Sequence, residues 1–269
     1  DPPFAFLRIT ELMASNSSTI SDEFGEFEDW IEVHNASGSL FDLGGMFLTD
    51  DLANTTKWQI PPGTLVPAGG HRLFWADSDP GQGPSHTSFG LGSGGEEVGL
   101  FDTLAGGNAL IDGFAYPAQT TDQSHGRLVG DALRFRFPVP TPGASNLPPA
   151  GQVRVYRHED PSVHAVALTS SAPVQVGGAL TVQVANAPAG QPGELFLSYA
   201  PDDVLGPGGV TLVAPPLVGS LVFAVNGAGA ATVAFPIPSD PGLVGTPVFA
   251  QVAVVGGGLS DAVVGTIGP

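Results

Sequence analysis

The chain contains no cysteine. Disulfides, thiolate metal sites and cysteine nucleophiles are therefore excluded. Positive charge is also scarce. Eight Lys and Arg stand against 26 Asp and Glu, Lys57 is the sole lysine, and the net charge is −18. That balance opposes nucleic-acid backbones, which need clustered Lys and Arg, and it opposes anionic lipid. No apolar run approaches the roughly 18 residues of a spanning helix, so no membrane insertion is expected. Helix signals are nearly missing: Ile9–Asn16 reads as a short helix or as a strand with a turn. The start, Asp1-Pro2-Pro3, has neither an initiator Met nor a signal-peptide pattern. It reads as a mature chain whose targeting segment is gone, or as a trimmed piece.

What is abundant is turn chemistry. Gly (38) and Pro (26) make up about a quarter of the 269 residues, where roughly 12% is usual. Glycine has no three-residue period, so this is not collagen. With 42% hydrophobic residues the chain can bury a core. Short alternating runs lie between the turns: Leu180–Val184, Leu195–Tyr199, Ala231–Phe235 and Val248–Val254, and in the first half Phe4–Thr10, Asp29–His34, Gly45–Thr49, His71–Ala76, Glu97–Asp102, Ala109–Tyr116 and Leu133–Phe137. Residues two apart share a face, so each run offers one apolar face to a core. Pro138, Pro140, Pro142, Pro148 and Pro149 mark a break. The expectation is an all-β protein of two tandem β-sandwich domains, 1–146 and 153–269, joined by a Pro-rich linker at 147–152. Acid is concentrated in the first: residues 1–149 carry net −13, the remainder −5.

Candidate chemistry is thin. Asp22, Glu23, Glu26, Glu28 and Asp29 form a dense acidic run, and Ca²⁺ takes six to eight oxygens. The run does not follow an EF-hand spacing and reads either as a calcium site or as a solvated acidic turn. No cofactor is required by any motif. Trp30 and Trp75 lie in strand-like runs and are expected in the core; Trp58, beside Lys57, is the better candidate for exposure. None of His34, His71, His86, His125, His158 and His164 forms a metal or catalytic motif, and there is no nucleophile elbow. Ser124 and His125 are adjacent, which on a strand sends them to opposite faces. Gly90–Gly95 lacks a P-loop lysine and reads as a turn. Arg127 is a candidate partner for Glu11, Asp29 or Glu32, and the Arg127–Glu32 pair is expected as a structural ion pair. Asn16, Asn35 and Asn54 begin N-x-S/T sequons.

The first half also carries an ordered set of motifs. These are Ile9-Thr10-Glu11-Leu12, Glu26-Phe27-Glu28-Asp29-Trp30-Ile31-Glu32-Val33-His34-Asn35, Leu48-Thr49-Asp50, Lys57-Trp58 and Pro67-Ala68-Gly69-Gly70. They continue with Leu73-Phe74-Trp75-Ala76, His86-Thr87-Ser88-Phe89, Asp122-Gln123-Ser124-His125-Gly126-Arg127 and Pro140-Thr141-Pro142-Gly143-Ala144-Ser145-Asn146. Over about residues 5–146 the sequence resembles the bacterial branch of the lamin-tail domain family. That resemblance implies an immunoglobulin-like sandwich within a secreted or cell-surface bacterial protein. The second half is similar to C-terminal β modules of large secreted proteins of planctomycete-like genomes. The expected function is that of a non-enzymatic extracellular structural protein. Its partners would be other copies, in an oligomer or filament, or surface proteins and glycans. Phe4, Phe6, Leu7 and Ile9 are the candidate strand for addition to a neighbour's sheet edge. The alternatives are a carbohydrate- or surface-binding adhesion module and an accessory part of a secreted enzyme.

Overall fold

The computed structural model describes residues 4–128, 134–157, 166–170, 173–206, 209–213 and 217–269. His158, His164, Leu133 and the first residues of the chain lie outside them. The chain divides into two compact units, 1–130 with 139–146, and 131–138 with 147–269. Among the described residues both are built of strands, with one short 3-10 turn at Pro241–Leu243. No helix among the described residues is long and apolar enough to cross a membrane.

The first unit contains β1 (Leu7–Met13), β2 (Trp30–Asn35), β3 (Phe41–Asp42), β4 (Phe47–Thr49), β5 (Trp58–Gln59), β6 (Leu65–Val66), β7 (His71–Trp75), β8 (Gly95–Phe101), β9 (Leu110–Pro117) and β10 (Ser124–Arg127). One sheet runs β10-β1-β2-β7, a second β5-β4-β8-β9, and β3 pairs with β6. Ile9, Leu12, Ile31, Val33 and Phe74 of the first sheet share a buried core with Leu48, Val98, Leu100 and Tyr116 of the second. This is the expected sandwich, immunoglobulin-like in kind. The Ile9–Asn16 segment resolves as strand followed by turn.

A bulge shapes the site side of this sheet. Pairing of β1 with β2 shifts between Ile9 and Glu11. The shift changes which residues face inward: Leu7 and Ile9 before it, Leu12 and Ala14 after it. Glu11 and Met13 therefore turn to the outer face. There Met13 packs with Trp30 and Trp75, and Glu11 stands opposite Glu32.

The second unit contains β11 (Arg134–Phe137), β12 (Val153–Tyr156), β13 (Ala167–Ser170), β14 (Ala179–Ala185), β15 (Pro192–Ser198), β16 (Pro201–Gly206), β17 (Gly209–Val213), β18 (Gly219–Ala224), β19 (Ala231–Pro236), β20 (Pro247–Val254) and β21 (Gly258–Thr266). A five-stranded sheet, β12-β21-β20-β15-β18, packs on a three-stranded one, β13-β14-β19, through Leu195, Leu197, Val252 and Val263 against Leu180, Val182 and Val233. On β14 the inward residues are the alternating Leu180, Val182 and Val184.

Two boundaries differ from the sequence reading. Residues 147–152, expected as a free linker, are built into the second unit: the Gly151 amide donates to the Thr266 carbonyl at 2.7 Å. Phe135 of β11 stacks edge-on against Tyr156 at 4.9 Å, so the last strand assigned to the first domain is packed in the second unit. Proline density marked the break, but packing placed it.

Candidate metal centre and buried carboxylates

The five expected metal ligands do not converge. Asp22 Oδ1 accepts the amides of Phe24 (2.9 Å) and Glu26 (2.8 Å), closing a turn that Gly25 completes at φ 84°. Glu26 Oε2 accepts from Gln82 Nε2 at 2.7 Å. Asp29 Oδ1 accepts the Asn16 amide at 3.2 Å, and burial lifts its pKa to about 6. Burial also raises the pKa of Glu28, helped by the charge of Asp77. The sequence grouping of Asp22, Glu23, Glu26, Glu28 and Asp29 is thus replaced by a different one.

Asp22, Asp77 and His86 each offer a ligand atom, all within 4.8 Å of one another. His86 is fully buried. Its Nδ1 hydrogen-bonds the Asp77 carboxylate, and its Nε2 faces Glu23 Oε1 at 3.3 Å. Burial opposes charging of the ring, but Asp77 and Glu23 outweigh it and raise the His86 pKa. Asp22 is 8% exposed, and its buried Oδ2 has no hydrogen-bond partner. Asp77 and His86 were missed in the sequence because they come from a separate loop far along the chain from the acidic run.

A second polar cluster lies on the outer face of β1 and β2. Glu11 accepts from Ser124 Oγ and from the amide and hydroxyl of Thr141. Glu32 accepts from Thr10 Oγ1 at 2.7 Å and from the Gly143 amide at 2.6 Å. Asn146 Nδ2 donates to the carbonyls of Thr10 and Arg127 at 3.0 and 2.8 Å. The Pro140–Asn146 segment is therefore a strap fastened over two buried carboxylates. The expected Arg127–Glu32 pair is not formed. Arg127 Nη2 instead meets both oxygens of Asp112, each at 2.9 Å, because β9 brings Asp112 to Arg127 while the strap occupies Glu32.

Burial is the main force on Glu32, and with the Glu11 charge it overcomes the two hydrogen bonds, so the pKa rises to about 8. His71, whose Nε2 lies 3.8 Å away, is held down to about 4 by burial and by stacked His34. A carboxyl with a raised folded pKa keeps a proton that the unfolded chain has released. Stability therefore falls as pH rises toward 8. Between pH 6.5 and 8.5 the wild type is expected to lose about 2 kcal/mol more than Glu32→Gln. Urea unfolding at each pH checks this; parallel curves would contradict it.

The remaining expectations resolve individually. Trp30 and Trp75 are buried, as anticipated, but so is Trp58 at 8% exposure, where it meets Phe74 edge-on. Ser124 and His125 do point apart, one to Glu11 and the other against Phe114. The amides of Asn16 and Asn35 are consumed by backbone carbonyls, which leaves Asn54 as the exposed sequon. The candidate assembly strand is occupied. Leu7 and Ile9 are fully buried in β1, which lies between β10 and β2, while Phe4 and Phe6 pack on Phe41 at 5.8 and 5.2 Å. β2 pairs with Leu7 and Ile9 along one edge, and the Ile9 amide donates to Asp112, so this stretch is not a free strand to donate.

Residues 3–118 match the Lamin Tail Domain family. That match lies within the first unit. The unit is an immunoglobulin-like sandwich, and the strap, the Asp112–Arg127 pair and the His86 cluster are all features of it. No curated protein matches the chain. Among solved structures, the superoxide reductase (neelaredoxin) from Ignicoccus hospitalis aligns at 14% identity over 39% of this chain and 80% of its own, with a TM-score of 0.22. A variant of that reductase aligns at 16% identity over 38% and 81%, with a TM-score of 0.23. Scores at that level carry no structural inference.

Proposed function

We propose that the chain is a non-enzymatic structural module of a secreted or cell-surface bacterial protein, and that it works by self-association through an open sheet edge. The observation that supports this most is β18. Among the described residues it pairs only with β15, at the end of the five-stranded sheet. Its sequence, Gly219-Ser-Leu-Val-Phe-Ala224, contains no charge and no proline, the devices that usually guard an edge. Val222 is 71% exposed, and Leu217, Val218 and Leu221 are exposed beside it. The second half also carries the smaller share of the negative charge, so copies approaching through it repel less.

A two-fold contact between β18 strands closes a dimer, and a second contact elsewhere extends dimers into a filament. Sedimentation of the wild type against Val222→Lys tests the reading. Concentration-dependent oligomers in the wild type that the variant lacks are expected. A wild type that stays monomeric, or a variant that assembles equally, would sink it. The adhesion alternative draws on one observation, the exposed aromatics Phe24 and Phe27 on the acidic turn. The buried state of all three tryptophans counts against an aromatic sugar platform.

A further inference from the structure

We propose that Asp22, Glu23 and His86 bind a divalent transition-metal ion of the zinc class, with Asp77 orienting the imidazole. Three observations beyond acidity support it. First, Asp22 is more than nine-tenths buried, yet only Oδ1 is used, by the amides of Phe24 and Glu26; Oδ2 has no partner. A buried carboxylate oxygen without a hydrogen bond is costly unless something positive meets it. Second, the His86 ring is set as a ligating ring is set. Its Nδ1 is held by the Asp77 carboxylate, in contact too close to admit an ion between them, which leaves Nε2 to ligate. A carboxylate on the far nitrogen fixes the tautomer and raises the basicity of the ligating one.

Third, the spacing fits in part: Asp22 and His86 offer ligand atoms within 4.8 Å of each other, and the exposed Glu23 side chain is free to swing and complete the set. His86 Nε2 and Glu23 Oε1 lie 3.3 Å apart without hydrogen-bond alignment, since Nε2 has no hydrogen bond of acceptable geometry. Zinc–nitrogen and zinc–oxygen bonds of about 2.0–2.2 Å in tetrahedral geometry separate two ligand atoms by about 3.3–3.5 Å. Phe24 meets the His86 ring edge-on, with ring centres 6.0 Å apart. The donor set also chooses the ion. Calcium needs six to eight oxygens, but Glu26 and Asp29 are engaged with Gln82 and Asn16. An imidazole with two carboxylates suits zinc, and exposed Glu23 leaves the fourth position to water.

The test is calorimetric titration of the chelator-treated full chain with zinc chloride, with calcium and magnesium chloride in parallel. Zinc is expected to bind once per chain and to raise the melting temperature. Glu23→Gln should weaken binding by about tenfold or more, and Asp77→Asn by about 10- to 100-fold. Asp22→Asn, which keeps the Oδ1 acceptor of the turn, should abolish it. Metal-free melting of each variant shows that the fold persists. His71→Ala, which removes the stacked histidine pair elsewhere in the unit, should bind zinc unchanged. No zinc binding at millimolar concentration would overturn the proposal. So would wild-type affinity in Asp22→Asn and Glu23→Gln, or loss of binding in His71→Ala. Calcium bound in preference to zinc, and lost in the same variants, would overturn the choice of ion.

Discussion

Asp112→Ala is expected to cost about 3–5 kcal/mol, because it leaves a buried guanidinium without its counter-charge. Arg127 is 5% exposed, and both oxygens of Asp112 lie 2.9 Å from its Nη2. The same carboxylate accepts the Ile9 amide at 2.7 Å, so the substitution also orphans a backbone donor in β1. Arg127→Met should cost less, since Asp112 keeps the Ile9 amide as a donor and the new side chain keeps an apolar stem of similar length. A double-mutant cycle on the unfolding free energy separates the contributions. Strong coupling is expected between positions 127 and 112, and little between 127 and 32. Coupling of Arg127 to Glu32 of the same size would restore the pairing that the sequence alone favoured.

Asn146→Ala is expected to cost about 2–5 kcal/mol, since two carbonyls would lose a charge-free but well-placed donor and each unsatisfied buried group costs about 1–3 kcal/mol. Asn146 is 3% exposed, and besides Thr10 and Arg127 it also accepts the Thr141 hydroxyl at 2.6 Å. Release of the strap would open Glu11 and Glu32 to water. The diagnostic sign is therefore twofold: a lower melting temperature, and loss of the stability decline between pH 6.5 and 8.5 that buried Glu32 causes. A variant that melts early but keeps that decline would show that the strap is not what buries Glu32. Gly126 belongs to the same arrangement. A side chain there would run into the Thr10 carbonyl and the Glu11 backbone, so the close approach of β10 to β1 requires glycine.

The sandwiches were legible wherever a strand alternates cleanly. Leu180, Val182 and Val184 are one residue in two, and their burial follows the same period. Trp30 and Trp75 went inside because large aromatics in strand runs bury well. Legibility failed where one residue breaks the period or where distant loops meet. The bulge near Thr10 turns Glu11 outward, and nothing in a two-residue alternation signals it. β2 reads as half-exposed, with Trp30, Glu32 and His34 on one side, yet the strap and the outer cluster bury the first two. That covering segment is more than a hundred residues away. The acidic run drew attention to Asp22 and Glu23, but a site needs more than density: Glu26 and Asp29 fasten loops, while Asp77 and His86 arrive from elsewhere. Phe4, Phe6, Leu7 and Ile9 formed a plausible donor strand by pattern, and only the pairing of Leu7 and Ile9 with β2 and the packing of Phe4 and Phe6 on Phe41 show them spent.

Association through the edge of the second unit is the claim on which the functional account rests. Hydrogen exchange across residues 219–224, followed as protein concentration rises, tests it most directly. Edge amides that face water exchange fast, and amides that pair with another strand are protected. The account predicts slowing of exchange in this segment with concentration, absent in Val222→Lys. Exchange that is equally fast at every concentration would contradict it.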